Sequence, residues 1–464
     1  MTDPTILWFR RDLRLSDQAA LRAAAEVGPV IPVYVLDDET PKHRKMGGAS
    51  RWWLHHSLKS LDQSLREKGS RLILRRGKAA TILADIARRS GAKEIHALRH
   101  YEPWWRNAER QLKEELGEGR ELVLHDGNYL QPIGSVTTGS GDPYKIYTPF
   151  WKALQKFMPP HEPARAPQKI DAPSEWPESD DLDDWDLLPT NPNWARGFEP
   201  VWTPGEEGAR RHVDAFVDEA TGYDDGRNLP SEERTSRLSP HLHFGEVSPA
   251  YVWHRVTGPG REVTTFVGEL AWRDYAQTVI AQFPDYPKQS YRDQFEAFPW
   301  RDFRSSTVRE EFDRWCQGRT GYPIVDAGMR QLWATGWMHN RVRMIAASFL
   351  IKHLLIDWRE GEQWFWDTLV DADYGNNATN WQWVAGTGVD SNMFPRIMAP
   401  LTQSPKFDAG DYIREWVPEL ADLDDDAIHD PEEAGCRPDD YPRKIIGHRE
   451  ARQRALDAYA KVKN

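Results

Sequence analysis

The chain has 464 residues, 60 Lys and Arg against 72 Asp and Glu for a net charge of −12, and 2 cysteines. Such a length buries a large core and predicts two or three domains, and the acidic balance excludes a uniformly basic nucleic-acid coat while leaving room for a local basic patch. Two cysteines exclude a disulfide framework, a four-cysteine zinc site and an iron–sulfur cluster; with no apolar run near ~20 residues and charges where a signal peptide needs apolar residues, a cytoplasmic, metal-free protein with no membrane partner is expected.

From the N-terminus, β-rich runs at Thr5–Phe9, Val30–Leu36, Arg71–Leu74, Glu94–Leu98 and Glu121–Leu124 alternate with helical patterns at Gln18–Glu26, Arg51–Arg66, Ala79–Arg89 and Trp104–Leu116. Repeated strand–helix units predict an α/β domain over residues 1–130, a Rossmann-like parallel sheet with helices on both faces. Ser16 and Asp17 are placed to cap the first helix. No GxGxxG follows the first strand, so the dinucleotide fingerprint is absent there.

Between 131 and 204 the periodicity dissolves. Residues 159–204 carry ten prolines and the acidic run Glu178–Asp184, the composition of a connector that wraps a surface. Beyond it strand signals nearly vanish. Amphipathic stretches at 208–220, 249–256, 263–283, 307–316, 324–335, 342–356 and 362–369 predict an all-α domain over 205–464. The 22 tryptophans exceed what a core filled with Leu and Ile requires, which points to a use of aromatic rings beyond bulk.

Four clusters carry chemistry. Thr235-Ser236-Arg237-Leu238-Ser239 stands before a predicted helix and after Tyr223 and Arg227. Its hydroxyls, guanidinium and helix-start N–H groups suit a phosphate, although taken alone they also describe a capping segment. Glu269, Trp272 and Arg273 fall on one helix face, which alone would be an exposed ion pair beside a core tryptophan. Asn340, Arg343 and Met344 share a face of the next cluster, and an amide, a cation and a thioether together suit a flat heteroaromatic group. Asp371, Asp373 and Asn377 precede Trp381 and Trp383, a polar edge before an aromatic floor, with solvated loop charge as the alternative.

Together these blocks resemble the photolyase/cryptochrome family over essentially the whole chain. Trp8–Arg14 (WFRRDLR), Thr320–Ala327 (TGYPIVDA) and Ile356–Gly361 (IDWREG) are nearly verbatim family strings. The resemblance is to the branch that repairs cyclobutane pyrimidine dimers (CPDs) in bacteria. It implies FAD in the helical domain, UV-damaged DNA as partner, and electron transfer from excited reduced FAD to a flipped-out dimer. Photolyases are themselves a standard example of base extrusion. A monomer is expected.

The resemblance places Tyr223, Thr235, Ser236, Arg237, Leu238 and Ser239 around the FAD diphosphate and Trp272 against the cofactor. Arg343 and Asp371 form a pair beside the isoalloxazine, Asp373 lies at its polar edge, and Asn377 is nearest N5. Plant cryptochromes place Asp at that last position and animal ones Cys, so Asn377 argues for repair over signalling. Glu269, Trp272, Asn340, Met344 and Trp383 match the dimer pocket, with Glu269 and Asn340 in catalytic roles. The (6-4) photolyases place His where Asn340 and Met344 stand. Arg227, Arg341 and Arg396 match phosphate contacts, which implies a salt slope of roughly −3 in log K against log salt.

Trp381 and Trp358 match the first two members of the family's chain that reduces photoexcited FAD, and Trp300 its exit; Trp333 and Trp315 are other candidates, both expected in the core. Glu102 and Lys288 resemble positions of a folate antenna site, which favours methenyltetrahydrofolate, with a deazaflavin or FMN as alternatives. Residues 390–398 depart from the aromatic-rich family string. The nearest alternative is a cryptochrome-type photoreceptor without repair, but the charged end at 448–463 leaves little room for a signalling tail. A light-independent nucleotide-binding or flavin protein explains only the first 130 residues. A metal hydrolase at His55-His56 or His241-Leu242-His243 lacks helical zinc spacing.

Overall fold

In the computed structural model, which describes residues 3–42, 44–391 and 394–463, the chain opens with β1 (Thr5–Phe9), buried at every residue. A run apolar on both faces suits a central strand covered on each side by helices. There follow α1 (Ala19–Val27), β2 (Val30–Leu36), α2 (Gly48–Glu67), β3 (Ile73–Arg76), α3 (Ala79–Ser90), β4 (Glu94–Leu98), α4 (Pro103–Leu116) and β5 (Glu121–His125). Among the described residues these strands form one parallel sheet ordered β3-β2-β1-β4-β5, with Ile6 level with both Ile31 and Ile95. The expected α/β architecture is present, with the third strand lying two residues later than 71–74.

The first cap differs from expectation. Gln18 caps α1, its Oε1 accepting from the Ala20 N–H at 3.2 Å. Asp17 has a left-handed backbone (φ 51°), and its carboxylate accepts from the Ala164 N–H at 3.1 Å and meets His161 Nε2 at 3.0 Å. It therefore pins the connector instead of starting the helix.

The connector itself contains α5 (Tyr147–Leu154), and the chain continues through α6 (Glu206–Glu219), α7 (Tyr223–Gly226), α8 (Ser239–His243), α9 (Pro249–Val256) and α10 (Thr264–Gln282). Then come α11 (Ser306–Cys316), α12 (Pro323–Thr335), α13 (Asn340–Ser348), a π-helical turn at Phe349–His353, α14 (Trp358–Thr368), α15 (Tyr374–Ala385), α16 (Pro400–Lys406), α17 (Gly410–Trp416) and α18 (His448–Ala460). The helical second half is as expected, but the single pattern at 342–356 divides into α13 and the π turn. The polar stretch at 371–377 starts a helix: Asp373 Oδ1 accepts from the Asn376 N–H at 2.8 Å and caps α15.

Two compact units result. One holds the described residues up to 194 with 202–221 and 236–284; the other holds 195–201, 222–235 and the described residues from 285. These limits differ from the expected breaks after 130 and 204, because α5 of the connector packs on α10. The Tyr147 hydroxyl donates to the Gly268 carbonyl at 2.6 Å and the Tyr275 hydroxyl to the Lys145 carbonyl at 2.7 Å. The first unit's core packs Ile6, Trp8, Ile31, Val33, Leu83 and Leu112 about the sheet, each such side chain contributing roughly 1.5–3 kcal/mol on burial. In the second unit, buried Asp326 accepts from the Thr320 N–H (2.7 Å) and hydroxyl (2.6 Å), the Gly321 N–H (3.0 Å) and the Tyr441 hydroxyl (2.6 Å). That one carboxylate ties the TGYPIVDA segment to the C-terminal region. Among the described residues no helix is long and apolar enough to cross a membrane. Asn392 and Met393 of the atypical 390–398 stretch lie outside the described residues.

Candidate functional site

In the second unit the site residues gather on α13, α14 and α15. His339 caps α13, its Nδ1 accepting from the Arg341 N–H at 3.2 Å, and leaves Asn340 exposed at the helix start. Arg343 donates from its two terminal nitrogens to Asp371 at 3.1 and 2.9 Å and from Nε to the Met338 carbonyl at 2.7 Å. A bidentate pair so anchored has a fixed orientation. Arg343 was expected to share a recognition face with Met344; the cation that reaches the Met344 sulfur, at 4.0 Å, is Arg341.

Arg341 also donates to Asn228 Oδ1 at 2.5 Å and lies 4.4 Å over the Phe407 ring. Its pKa is pushed down by burial and then by the neighbouring charge of Arg227, which places the two expected phosphate contacts near each other. Arg227 itself lies 5.5 Å from the Tyr223 ring. Arg396 is exposed, and its carbonyl accepts from Lys352 Nζ at 2.7 Å.

Asn377 is buried one turn into α15. Its Nδ2 donates to Glu362 Oε1 at 2.8 Å and to the Glu362 carbonyl at 2.9 Å, which leaves Oδ1 as the amide's acceptor. Glu362 escaped the sequence reading. The only available signal was a carboxylate among the buried residues of α14, Gly361, Phe365 and Trp366.

The tryptophans divide by environment. Trp358 is fully buried under the Arg359 guanidinium, 4.9 Å from its ring, and Trp381 packs edge-on against Phe365 at 5.0 Å. Trp381 also meets Trp315 at 6.4 Å, and Trp315 is fully buried, donating from Nε1 to the Ala346 carbonyl at 3.1 Å. Trp300 is half-buried against Phe298 at 4.3 Å. Trp333, expected in the core, is 50% exposed and stacked on Trp364 at 6.1 Å, because α12 buries the opposite face. Trp383 is half-buried, and the adjacent Gln382 fixes its helix by donating to the Tyr286 carbonyl at 2.6 Å and the Gln289 carbonyl at 2.8 Å.

The first unit holds the hydroxyl-rich segment and the Glu269 face. Arg237 has a left-handed backbone (φ 49°), a strained conformation of the kind that clusters at ligand clamps. Ser236 Oγ accepts from the Leu238 N–H at 3.4 Å, and Ser239 begins α8. Thr235, the residue before this run, belongs to the second unit with Tyr223. On α10, Trp272 is half-buried rather than core, stacked on Tyr147 at 3.7 Å with the rings 10° from parallel. Tyr147 therefore belongs with the candidate site, and the connector's lack of periodicity concealed it. Its hydroxyl is pushed above the ordinary range by burial and then by the charge of Glu269, which sets those two side chains close together. Arg273, which an isolated reading of the cluster would pair with Glu269, donates to the Leu242 carbonyl at 3.0 Å. Glu102 is fully buried in the α/β unit beside Arg11. Lys288 pairs with Asp285 at 3.3 Å and is half-exposed.

Residues 266–461 match the FAD binding domain of DNA photolyase and residues 5–168 the DNA photolyase family, so the class defined is a two-part, FAD-binding protein. A deoxyribodipyrimidine photo-lyase of Agrobacterium fabrum is 49% identical over 100% of this chain and 98% of its own. The crystal structure of a bacterial class III photolyase from Agrobacterium tumefaciens superposes with a TM-score of 0.94 at 48% identity, covering 100% and 98% of the two chains. Cryptochrome-1 of Arabidopsis thaliana is 35% identical over 99% of this chain and 70% of its own. The chain belongs to the DNA photolyase family.

Proposed function

We propose that this protein is a photo-lyase that repairs cyclobutane pyrimidine dimers in UV-damaged DNA. The full-length 49% identity to a deoxyribodipyrimidine photo-lyase carries the reading. FAD, when bound and reduced, supplies the light-driven electron.

The donor set suits that cofactor. Ser236, Arg237, Ser239, Thr235 and Tyr223 offer hydroxyls, a guanidinium and a ring for a diphosphate, with Leu238 holding the turn between them. The Arg343–Asp371 pair, Asp373 and Asn377 would face the polar edge of a flavin. Asn377 brings no acidic proton, and its Oδ1, fixed through Glu362, accepts from an N–H.

In the second unit Asn340, Met344 and Trp383 are proposed for dimer binding, and in the first unit Trp272, the rings contributing flat apolar area. Glu269 would hydrogen-bond the dimer where negative charge builds. Arg227, Arg341 and Arg396 would grip the phosphates and set the register. Trp381, Trp358 and Trp300 would carry the electron that restores the reduced cofactor. A folate, methenyltetrahydrofolate, is the proposed antenna in preference to a deazaflavin or FMN, with Glu102 and Lys288 as candidate residues; the fluorescence of pigments released on denaturation identifies it. A cytoplasmic monomer completes the proposal.

The test is recovery of absorbance from UV-damaged oligothymidine by the reduced protein, lit and dark. Repair only in blue light is expected. The cryptochrome relative favours a second reading, a photoreceptor without repair; flavin photoreduction with no loss of dimers would establish that one instead.

A further inference from the structure

A cleft of about 500 Å³ lies beside α4 and β5, lined by Arg99, Arg106, Arg110 and Lys113 together with Glu109, Glu114 and Leu124. Nothing in the proposed repair chemistry uses it. Arg106, Arg110 and Lys113 recur at i, i+4 and i+7, so three cations share one face of α4. Like charges at that spacing destabilise a helix by a few tenths of a kcal/mol per pair. In a chain with a net charge of −12, carboxylates to offset them are plentiful. Yet among the described residues none of the three has a carboxylate within 4.0 Å, and Arg110 spends a donor on the Asn107 side-chain oxygen at 2.5 Å.

The buried carboxylate at the cleft does not cancel this field. Glu109 is only 8% exposed and is already paired at 2.7 Å with Arg10, whose guanidinium also lies against the Trp8 and Trp105 rings. Arg99 meets Asp126 at 3.5 Å in the open, where such a pair is heavily screened.

We propose that this cleft binds a phosphate-bearing anion of nucleotide size. Arginine forks match phosphate oxygens in a bidentate manner, the volume falls within the range of small-molecule sites, and Leu124 offers an apolar patch for a ring. The site is separate from the one proposed for FAD, and its test does not depend on repair.

Calorimetric titration of the FAD-loaded protein with inorganic tripolyphosphate, ATP and citrate, at low and at physiological salt, decides the matter. Tripolyphosphate should bind, ATP more tightly, and citrate about tenfold or more weakly. Arg106→Gln with Lys113→Gln should weaken tripolyphosphate about tenfold or more. The control, Arg88→Gln with Arg89→Gln on α3, should leave it unchanged, and unaltered melting temperatures show that both variants fold. No binding, an equal loss in the control pair, or citrate as tight as tripolyphosphate overturns the proposal. ATP no tighter than tripolyphosphate overturns its nucleotide-sized component.

Discussion

The Glu362 carboxylate and the Asn377 amide are locked together, Nδ2 donating at 2.8 Å to Oε1 while a second bond from the same nitrogen reaches the Glu362 carbonyl at 2.9 Å. An amide with both N–H groups so engaged has one orientation, and whatever approaches Asn377 from the other side meets a carbonyl oxygen. Glu362→Leu removes the side-chain acceptor and leaves the amide held by the backbone carbonyl alone, a weaker hold on its orientation. The reduced holoprotein should then reoxidise several-fold faster in air with FAD content unchanged, whereas Glu362→Gln, which keeps an acceptor, should stay near wild type. Identical reoxidation traces for the Leu variant and wild type would show that Glu362 does not orient the amide.

Asp274 is buried in α10 with its pKa raised to about 7, chiefly by burial, and its Oδ2 accepts from the Gln131 N–H at 3.1 Å. The folded pKa lies above the unfolded one, so between about pH 4 and pH 7 the folded state binds the extra proton. Stability from this group is complete below pH 4 and falls by about 1.4 kcal/mol per pH unit until pH 7. Asp274→Asn should flatten that decline and melt higher than wild type at pH 8, with the gap closing by pH 4. Parallel melting curves across this range would contradict the assignment.

Gly361 lies where α14 passes the Trp381 indole. A Cβ added there would overlap the ring and lie 2.5 Å from a Leu350 methyl. Gly361→Ala should therefore cost about 1–3 kcal/mol, the scale of an overpacked core, read as a lower urea midpoint. Because Trp381 must move, photoreduction of oxidised FAD should slow as well. An alanine variant with wild-type stability and photoreduction would show that the ring yields freely.

Arg341 gives its guanidinium to an amide oxygen, a sulfur and a ring, so its charge remains available to a phosphate. With three arginines engaged, log K for damaged DNA should fall against log salt with a slope of roughly −3. Arg341→Gln should lower that slope by about one, equally for damaged and undamaged oligonucleotides, since a phosphate contact carries no base information. An unchanged slope removes Arg341 from the interface.

Local patterns made much of the fold legible. The β1, β2 and β4 limits follow the β-rich runs, and α9 follows the amphipathic stretch at 249–256. What escaped depended on partners distant in sequence. Nothing near Asp17 indicates that its carboxylate binds Ala164 and His161, and nothing near Tyr147 indicates Trp272. The start of α15 was misread because Asp373, a cap, looks like loop charge until the turn it closes is known. Trp333 was assigned to the core from residue type alone, whereas burial depends on which face of α12 meets a neighbour. Asn377 was singled out with Asp371 and Asp373 as a polar edge, but the Glu362 that orients its amide carries no local signature.

Tyr147 and Trp272 offer a direct measure of how the connector supports the candidate pocket. Their rings stack at 3.7 Å, and the Tyr147 hydroxyl donates to the Gly268 carbonyl at 2.6 Å, so stacking and hydrogen bonding can be removed separately. Tyr147→Phe keeps the stack and should cost about 1 kcal/mol of stability with little change in repair. Tyr147→Ala removes both and should cost about 3 kcal/mol. A double-mutant cycle with Trp272→Ala should return a coupling of about 1 kcal/mol, the value of an aromatic pair beyond its buried area. Without its backing, Trp272 loses a fixed plane, so Tyr147→Ala should also weaken binding of damaged DNA more than of undamaged DNA. Additive single effects, or an equal loss on both DNAs, would mean that α5 merely closes the surface of α10 and takes no part in shaping the pocket.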